Sequence, residues 1–437
     1  MLNYRCFIWL LPFLACATMA QAVQMDEECI DEPVFKGRVC VYQTNRDASE
    51  SIFLIHGIGD NASRDWEQQL TMLAEQLHII TIDLSGFGRS EQGDKPYTPE
   101  NYAALIDFVA SHYAIQRFVL IGHSMGASVA MLYAATYPQK VRRLVLVDAA
   151  GILHRIAIGK YVIASGINGQ ADGTDKAETY VVKIIEKFEG LFSLFSDDVA
   201  KESEHARAGI ELVDYDFGQT LDMITTPTLI IWGAEDQIAP LRTAKVLNYR
   251  IKESQLKVIE GAGHLPMKEK SETFNILLKA FLNPVEVKTV IANDDKETRN
   301  TTGICKGKSG VRFSGEYQRI EIRNCNDVVL DGVSVTELFV FESRVTIENS
   351  RIGGRVAVAL NAEGSDLKIT ASRLSGEVAI KADRSRLDLA AVDMQVKEKA
   401  VVAKSRSRFI FSVSRIYKGQ ENKRIHDYVT LNQGGTL

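Results

Sequence analysis

Four apolar residues, Phe118, Val119, Leu120 and Ile121, run into Gly122-His123-Ser124-Met125-Gly126, and the small residues Ala127 and Ser128 follow. A strand that passes directly into a helix forces its apex residue into a strained backbone conformation. Small residues two positions to either side let the two elements pass closely. The segment thus demands a buried strand that delivers Ser124 to the floor of a cleft. There the Met125 amide, at the start of the helix, faces any negative charge that develops.

Three other segments have the same construction, an apolar run that ends in a loop rich in glycine. Ile52-Phe53-Leu54-Ile55 leads into His56-Gly57-Ile58-Gly59, a glycine-containing loop at a strand's carboxyl end, where a second oxyanion amide would be needed. Thr228-Leu229-Ile230-Ile231-Trp232 leads into Gly233-Ala234-Glu235-Asp236, and Leu256-Lys257-Val258-Ile259 leads into Gly261-Ala262-Gly263-His264. A nucleophile, an acid and a base therefore occur in the order Ser124, Asp236, His264, which is the chain order of one triad architecture.

On these motifs the stretch 34–284 resembles an α/β-hydrolase of the esterase and small-substrate hydrolase type. His56-Gly57-Ile58-Gly59 matches that family's oxyanion loop, residues 83–90 its loop after the next strand, and residues 122–126 its elbow. The resemblance implies Ser124 as nucleophile, His264 as general base and then acid, and Asp236 as the residue that orients His264. It also implies an oxyanion hole made by the Ile58 and Met125 amides. Serine at the apex argues against the haloalkane dehalogenase and epoxide hydrolase branches, whose nucleophile is an aspartate. Ser85 departs from the proline that many relatives carry.

A serine hydroxyl is a weak nucleophile near neutral pH and needs an imidazole within hydrogen-bond reach, itself fixed by a buried acid. Asp236 has two rivals for that acid. Glu235 is adjacent but is expected to point the other way on its loop. Asp148 follows the run Leu144-Val145-Leu146-Val147, at a strand end that holds the acid in some relatives. His123 is expected to pack beneath the elbow and His56 to shape the oxyanion loop, while His78, His112, His154, His205 and His426 are read as structural or surface residues. No His, Cys, Asp and Glu cluster stands at metal-ligand spacing and no phosphate or dinucleotide fingerprint occurs, so neither metal nor cofactor is expected.

Apolar runs near 52–56, 78–83, 117–121, 143–147, 228–232 and 256–260 predict strands, and amphipathic segments at 63–77, 99–112, 125–137, 241–249 and 271–282 predict helices. This alternation requires a mostly parallel sheet covered by helices. Trp66, Leu70, Leu73 and Leu77 should pack on the sheet, and Thr98 with Pro99 marks a helix start. Over 151–219 the alternation breaks, which predicts a helical cap inserted over Ser124, with Phe188, Leu191, Phe192 and Phe195 as candidate substrate-binding residues.

Beyond a polar linker at 291–303 helical periodicity ends. Short alternating strands begin at Ser343, Ser365, Ser385 and Ser407, a spacing near one coil of a parallel β-solenoid. Stacking predicts one inward ladder of Val345, Leu367, Leu387 and Phe409 and another of Ile347, Ile369, Leu389 and Phe411. This region resembles right-handed parallel β-helix proteins. Asp366, Asp383, Asp388 and Asp393 form no compact constellation and read as the outward face of a solenoid, so residues 304–437 are expected to stabilise, scaffold or bind. A cell-wall glycan and self-association are the two partner readings.

Arg5, the apolar run from Phe7 to Ala15 and the small-residue site Ala20-Gln21-Ala22 predict a secretory signal over 1–22, leaving a hydrolase domain over 23–290. A lipid anchor at Cys16 is the alternative, which Phe13-Leu14-Ala15 fits poorly. No later segment is long and apolar enough to span a bilayer. Removal of Cys6 and Cys16 leaves Cys29, Cys40, Cys305 and Cys325, close in sequence two by two, which predicts two local disulfides and export to the periplasm or beyond. A net charge of -5 gives no reason to invoke nucleic acid. The expected activity is hydrolysis of a small to medium carboxylic ester through an acyl-serine. Its alternatives are amide, thioester or carbon–carbon bond cleavage, acyl transfer, or a surface-binding protein in which the solenoid is the functional part.

Overall fold

A computed structural model describes residues 23–59, 61–94, 96–154, 156–157, 208–209, 211–212, 215–283 and 302–437. The predicted signal (1–22), most of the cap with Phe188, Leu191, Phe192 and Phe195, and most of the linker lie outside the described residues.

The first sheet has eight strands: β1 (Asp26–Glu32), β2 (Gly37–Thr44), β3 (Ser51–Ile55), β4 (His78–Asp83), β5 (Phe118–His123), β6 (Val141–Val147), β7 (Thr228–Gly233) and β8 (Ser254–Ile259). Their order is β1-β2-β4-β3-β5-β6-β7-β8, parallel from β4 to β8. Every residue of β4, β5 and β7 is buried, which is why these strands read as continuous apolar runs. Alternate side chains serve opposite faces. Phe53, Ile80, Leu120, Leu144 and Ile230 pack against α2 (Pro99–His112) and α3 (Met125–Thr136). Ile52, Ile79, Val119, Val145 and Leu229 pack against α1 (Glu67–Ala74) and α7 (Ser271–Leu282). The remaining helices are α4 (Gly218–Met223), α5 (Leu241–Arg250) and α6 (Pro266–Glu269). The chain leaves β3 to build β4 on one side and returns to build β5 on the other, so the carboxyl ends of β3 and β5 flank a topological switch point.

Two local features differ from the sequence expectation. The helix predicted over 63–77 is a 3-10 turn, Ala62–Trp66, followed by α1, because the Ser63 amide is committed to the Asp83 carboxylate at 3.0 Å. The antiparallel β1–β2 hairpin was not foreseen; Cys29 lies opposite Cys40 in its register and the two form a disulfide. The start of α2 follows the expectation, with Thr98 Oγ1 accepting the Asn101 amide at 3.3 Å and Pro99 in the first turn.

The second sheet comprises β9 (Thr302–Lys306), β10 (Arg312–Arg323), β11 (Val328–Phe341), β12 (Arg344–Glu348), β13 (Arg351–Gly353), β14 (Val358–Glu363), β15 (Asp366–Asp383), β16 (Arg386–Ala403), β17 (Ser407–Lys418) and β18 (Glu421–Leu431). All pair in parallel except β18, which turns back antiparallel to β17 and covers that end. Both predicted ladders form: Val345, Leu367, Leu387 and Phe409 stack in register, as do Ile347, Ile369, Leu389 and Phe411. The serines that open the repeats form a buried column. Ser343 Oγ accepts the Cys325 amide, Ser365 Oγ that of Ser343, Ser385 Oγ that of Ser365 and Ser407 Oγ that of Ser385, at 3.0 to 3.2 Å. Each hydroxyl thus satisfies an amide that a coil corner takes out of the ladder. Another corner repeats at Asn349, Ala371, Ala391 and Val413, all at positive φ, and Cys305 is bonded to Cys325 in the first coil.

The two bodies share a face. Helix α5 lies along β15 and β16, with Arg242 on Asp388 (2.8 Å), Lys245 on Glu348 and Arg250 on Asp393 (2.7 Å). Ala390, Ala391, Ile410 and Val413 of the solenoid join the same apolar cluster as Leu247. Asp388 and Asp393, expected on an outward face, are turned toward the hydrolase cations. Among the described residues no helix is long and apolar enough to cross a membrane.

Candidate active site

Strand β5 ends at His123, α3 begins at Met125, and Ser124 between them has φ 52° and ψ -119°. Such a conformation costs about 1–3 kcal/mol and persists only where packing enforces it. The packing is tight on both sides: a Cβ on Gly122 would stand 2.2 Å from the Gly126 carbonyl oxygen, and one on Gly126 would stand 2.3 Å from that of His56. The Ser124 amide donates to the Val147 carbonyl at 2.9 Å. Its hydroxyl makes no capping bond to α3, although a serine at this position usually does.

That hydroxyl meets His264 instead. His264 Nε2 is 3.0 Å from Ser124 Oγ, and Nδ1 is 2.8 Å from Asp236 Oδ2. With Asp236 ionised, Nδ1 carries the proton and Nε2 accepts from the serine. The other Asp236 oxygen accepts the Ile238 and Ala239 amides at 2.8 and 3.0 Å. Burial works to raise the Asp236 carboxyl, but the hydrogen bond and charge of His264, with the neighbouring Asp148 and the Ile238 amide, outweigh it and hold the group below the usual carboxylate range. Glu235 is exposed, whereas Asp148 is fully buried beside Asp236 and makes no bond to His264 among those found.

The loops are fixed from beneath. His56 Nδ1 donates to the Gly57 carbonyl at 2.6 Å while Nε2 accepts the Leu84 amide at 3.0 Å, which fastens the 56–59 loop to the chain after β4. A Cβ on Gly57 would lie 2.7 Å from that of Ser124, so this loop touches the serine, with Ile58 next in the chain and the Met125 amide at the start of α3. Two supports complete the site: His123, expected beneath the elbow but not as a partner of His264, and Glu269, which the sequence reading missed. His123 Nε2 donates to the His264 carbonyl at 2.7 Å, and burial, then the neighbouring His264, push the His123 ring down to about 3. Glu269 of α6 accepts the Gly263 and Leu265 amides at 2.6 and 3.0 Å and folds the loop around His264. A carboxylate in the first helical turn after a Gly-Ala-Gly-His run was the signal available for it.

Asp148, Asp236 and His264 offer atoms within 4.8 Å of one another, but a cation there would have to break the His264–Asp236 bond. The Glu27, Cys29 and Cys40 cluster has both sulfurs in a disulfide.

The model of the alpha/beta hydrolase family matches residues 52–275, half of the chain, from β3 to α7. The chain is an alpha/beta hydrolase. This alpha/beta hydrolase is 31% identical to an uncharacterised protein of Mycobacterium bovis over 261 residues, 54% of this chain and 76% of that protein. It is 28% identical to Lipase 1 of Psychrobacter immobilis over 280 residues, 57% of this chain and 82% of the lipase. With the 2-hydroxy-6-oxo-2,4-heptadienoate hydrolase of Pseudomonas putida it shares 26% over 257 residues, 54% of this chain and 90% of that enzyme.

Proposed function

We propose that this alpha/beta hydrolase is an exported serine hydrolase that cleaves a carboxylic ester of small to medium size through an acyl-Ser124 intermediate. The unbroken path from Ser124 Oγ through His264 to Asp236, at 3.0 and 2.8 Å, carries the reading. Ser124 Oγ attacks the ester carbonyl while its proton passes to His264 Nε2, and Asp236 stabilises the imidazolium. The tetrahedral oxyanion faces the amides of Ile58 and Met125. Collapse expels the alcohol, which takes the proton from His264. Water then enters, His264 removes its proton, and attack on the acyl carbon releases the acid and restores Ser124.

The likeness to a lipase supports an ester substrate. The likeness to the 2-hydroxy-6-oxo-2,4-heptadienoate hydrolase of Pseudomonas putida favours a second reading, hydrolysis of a substrate other than an ester on the same three residues. The two disulfides support export. For the solenoid, its ion pairs with α5 support a scaffolding role, with a cell-wall glycan or a second copy as the partner of its outward faces.

The test is turnover of nitrophenyl esters of increasing acyl length by the protein and its Ser124→Ala variant. Turnover lost in the variant, with an optimum at short to medium acyl chains, is the expected result. No turnover by folded protein, or equal turnover by the variant, overturns the ester reading.

A further inference from the structure

Two carboxyl groups meet behind His264, and the catalytic reading uses only one of them. Asp148 follows β6 at φ 44°, and its side chain is inaccessible to solvent. Asp148 Oδ1 accepts the Gly233 amide at 3.0 Å, while Oδ2 is buried with no protein donor directed at it. The group beside it is Asp236, whose carboxylate comes within 4.8 Å of that of Asp148 and is already supplied with donors from His264, Ile238 and Ala239. Two ionised carboxylates cannot coexist at this range in a buried site, so one proton is held between them. Donor supply decides where it rests: Asp236 has three donors, Asp148 one.

We infer that Asp148 is a positioning residue, a neutral carboxylic acid whose O–H donates to Asp236 and locks the carboxylate on which His264 is seated. Burial, then the charge of Asp236 and the bond to it, push the Asp148 carboxyl well up. The titratable groups around it are Asp236 after β7, His264 after β8 and Glu269 of α6, and His123 at the end of β5 faces Asp236 and His264. Glu269 is occupied by two loop amides. The inference rests on the reading of Ser124, His264 and Asp236 as the reacting and orienting groups.

Infrared difference spectra of the full chain in the Ser124→Ala background read the proton without needing turnover. At pH 8 the carbonyl band of a protonated carboxylic acid is expected, and Asp148→Asn in that background removes it; absence of the band overturns the inference. In the active protein Asp148→Asn retains a donor toward Asp236 and an acceptor for Gly233, and kcat stays within about threefold. Asp148→Leu supplies neither; kcat falls about 10- to 100-fold with KM unchanged, and the acidic limb of kcat/KM moves upward because the Asp236 charge has lost a donor. Asparagine as damaging as leucine, or Asp148→Asn inactive while Asp236→Asn retains most turnover, overturns it. Full activity of Ser124→Ala would sink the serine-hydrolase reading, and the infrared band would still be readable.

Discussion

Replacing Asp393 with leucine removes the carboxylate on which the Arg250 guanidinium rests. The pair is buried, with 3% of the Arg250 side chain and 9% of that of Asp393 exposed. Arg250 Nη1 donates to Asp393 Oδ1 at 2.7 Å, and the Tyr249 hydroxyl donates to Oδ2 at 3.1 Å. Deleting one member of a buried pair costs about 3–5 kcal/mol, and the stranded Tyr249 hydroxyl adds about 1 kcal/mol. The Val413 carbonyl still accepts from Arg250 Nε and Nη2 at 3.1 and 2.7 Å, which places the total near the lower end, about 3–4 kcal/mol. In a chain this long that is a fall in Tm on the order of 5–10 °C. The position of the probes makes the assay informative. Trp66, packed on the first sheet, and Trp232, in its strand β7, are buried and residues 302–437 contain no tryptophan, so tryptophan fluorescence reports the hydrolase body while the substitution is in the solenoid. Asp393→Leu should therefore move a transition seen from the other body. The double variant Arg250→Met with Asp393→Leu removes both charges and should recover most of the loss. Breaking the exposed pair Arg384–Glu363 should shift stability by less than about 1 kcal/mol. An unmoved tryptophan transition in Asp393→Leu, or losses that simply add in the double variant, refutes the reasoning.

Two further outcomes follow from groups already placed. His123 is held neutral in the fold, down to about 3, while the unfolded chain takes up a proton below about 6.5. Its contribution to stability is present above 6.5 and is lost as the pH falls toward 3, amounting to about 2 kcal/mol by pH 5. Denaturant midpoints at pH 7 and pH 5 should therefore converge in His123→Gln relative to the parent; an unchanged pH slope refutes this. Cys305 and Cys325, 20 residues apart, close the first coil of the solenoid. Replacing both with alanine should lower unfolding free energy by about 3 kcal/mol, and a loss below about 1 kcal/mol in denaturant melts counts against it.

In the candidate site, Ser124 and Asp236 were legible in the sequence because each follows a strand buried on both faces, β5 and β7, and such strands appear as unbroken apolar runs; β8 is half exposed, and His264 was legible from the Gly-Ala-Gly-His loop that follows it. The β1–β2 hairpin was not, since five of the seven residues of β1 are exposed and no pattern marks it. The coils were legible from the recurring serines and the ladder residues, whereas the corners at Ala371, Ala391 and Val413 were not, because stacking imposes a positive φ on residues whose type does not favour it. The contact between the bodies was hidden for a different reason. Arg242, Lys245 and Arg250 recur on one side of α5 as a solvated helix face would, and Asp388 and Asp393 read as isolated charges on the outside of a solenoid. Only the fold shows that these two charged faces meet, because the partners are more than a hundred residues apart. The contact also bears on the site. Asp236 Oδ1 holds the Ile238 and Ala239 amides, Pro240 follows, and α5 begins at Leu241 with Arg242 already on Asp388 and on the Ile369 carbonyl. The segment that carries the candidate acid is thus fastened at one end by His264 and at the other by the solenoid.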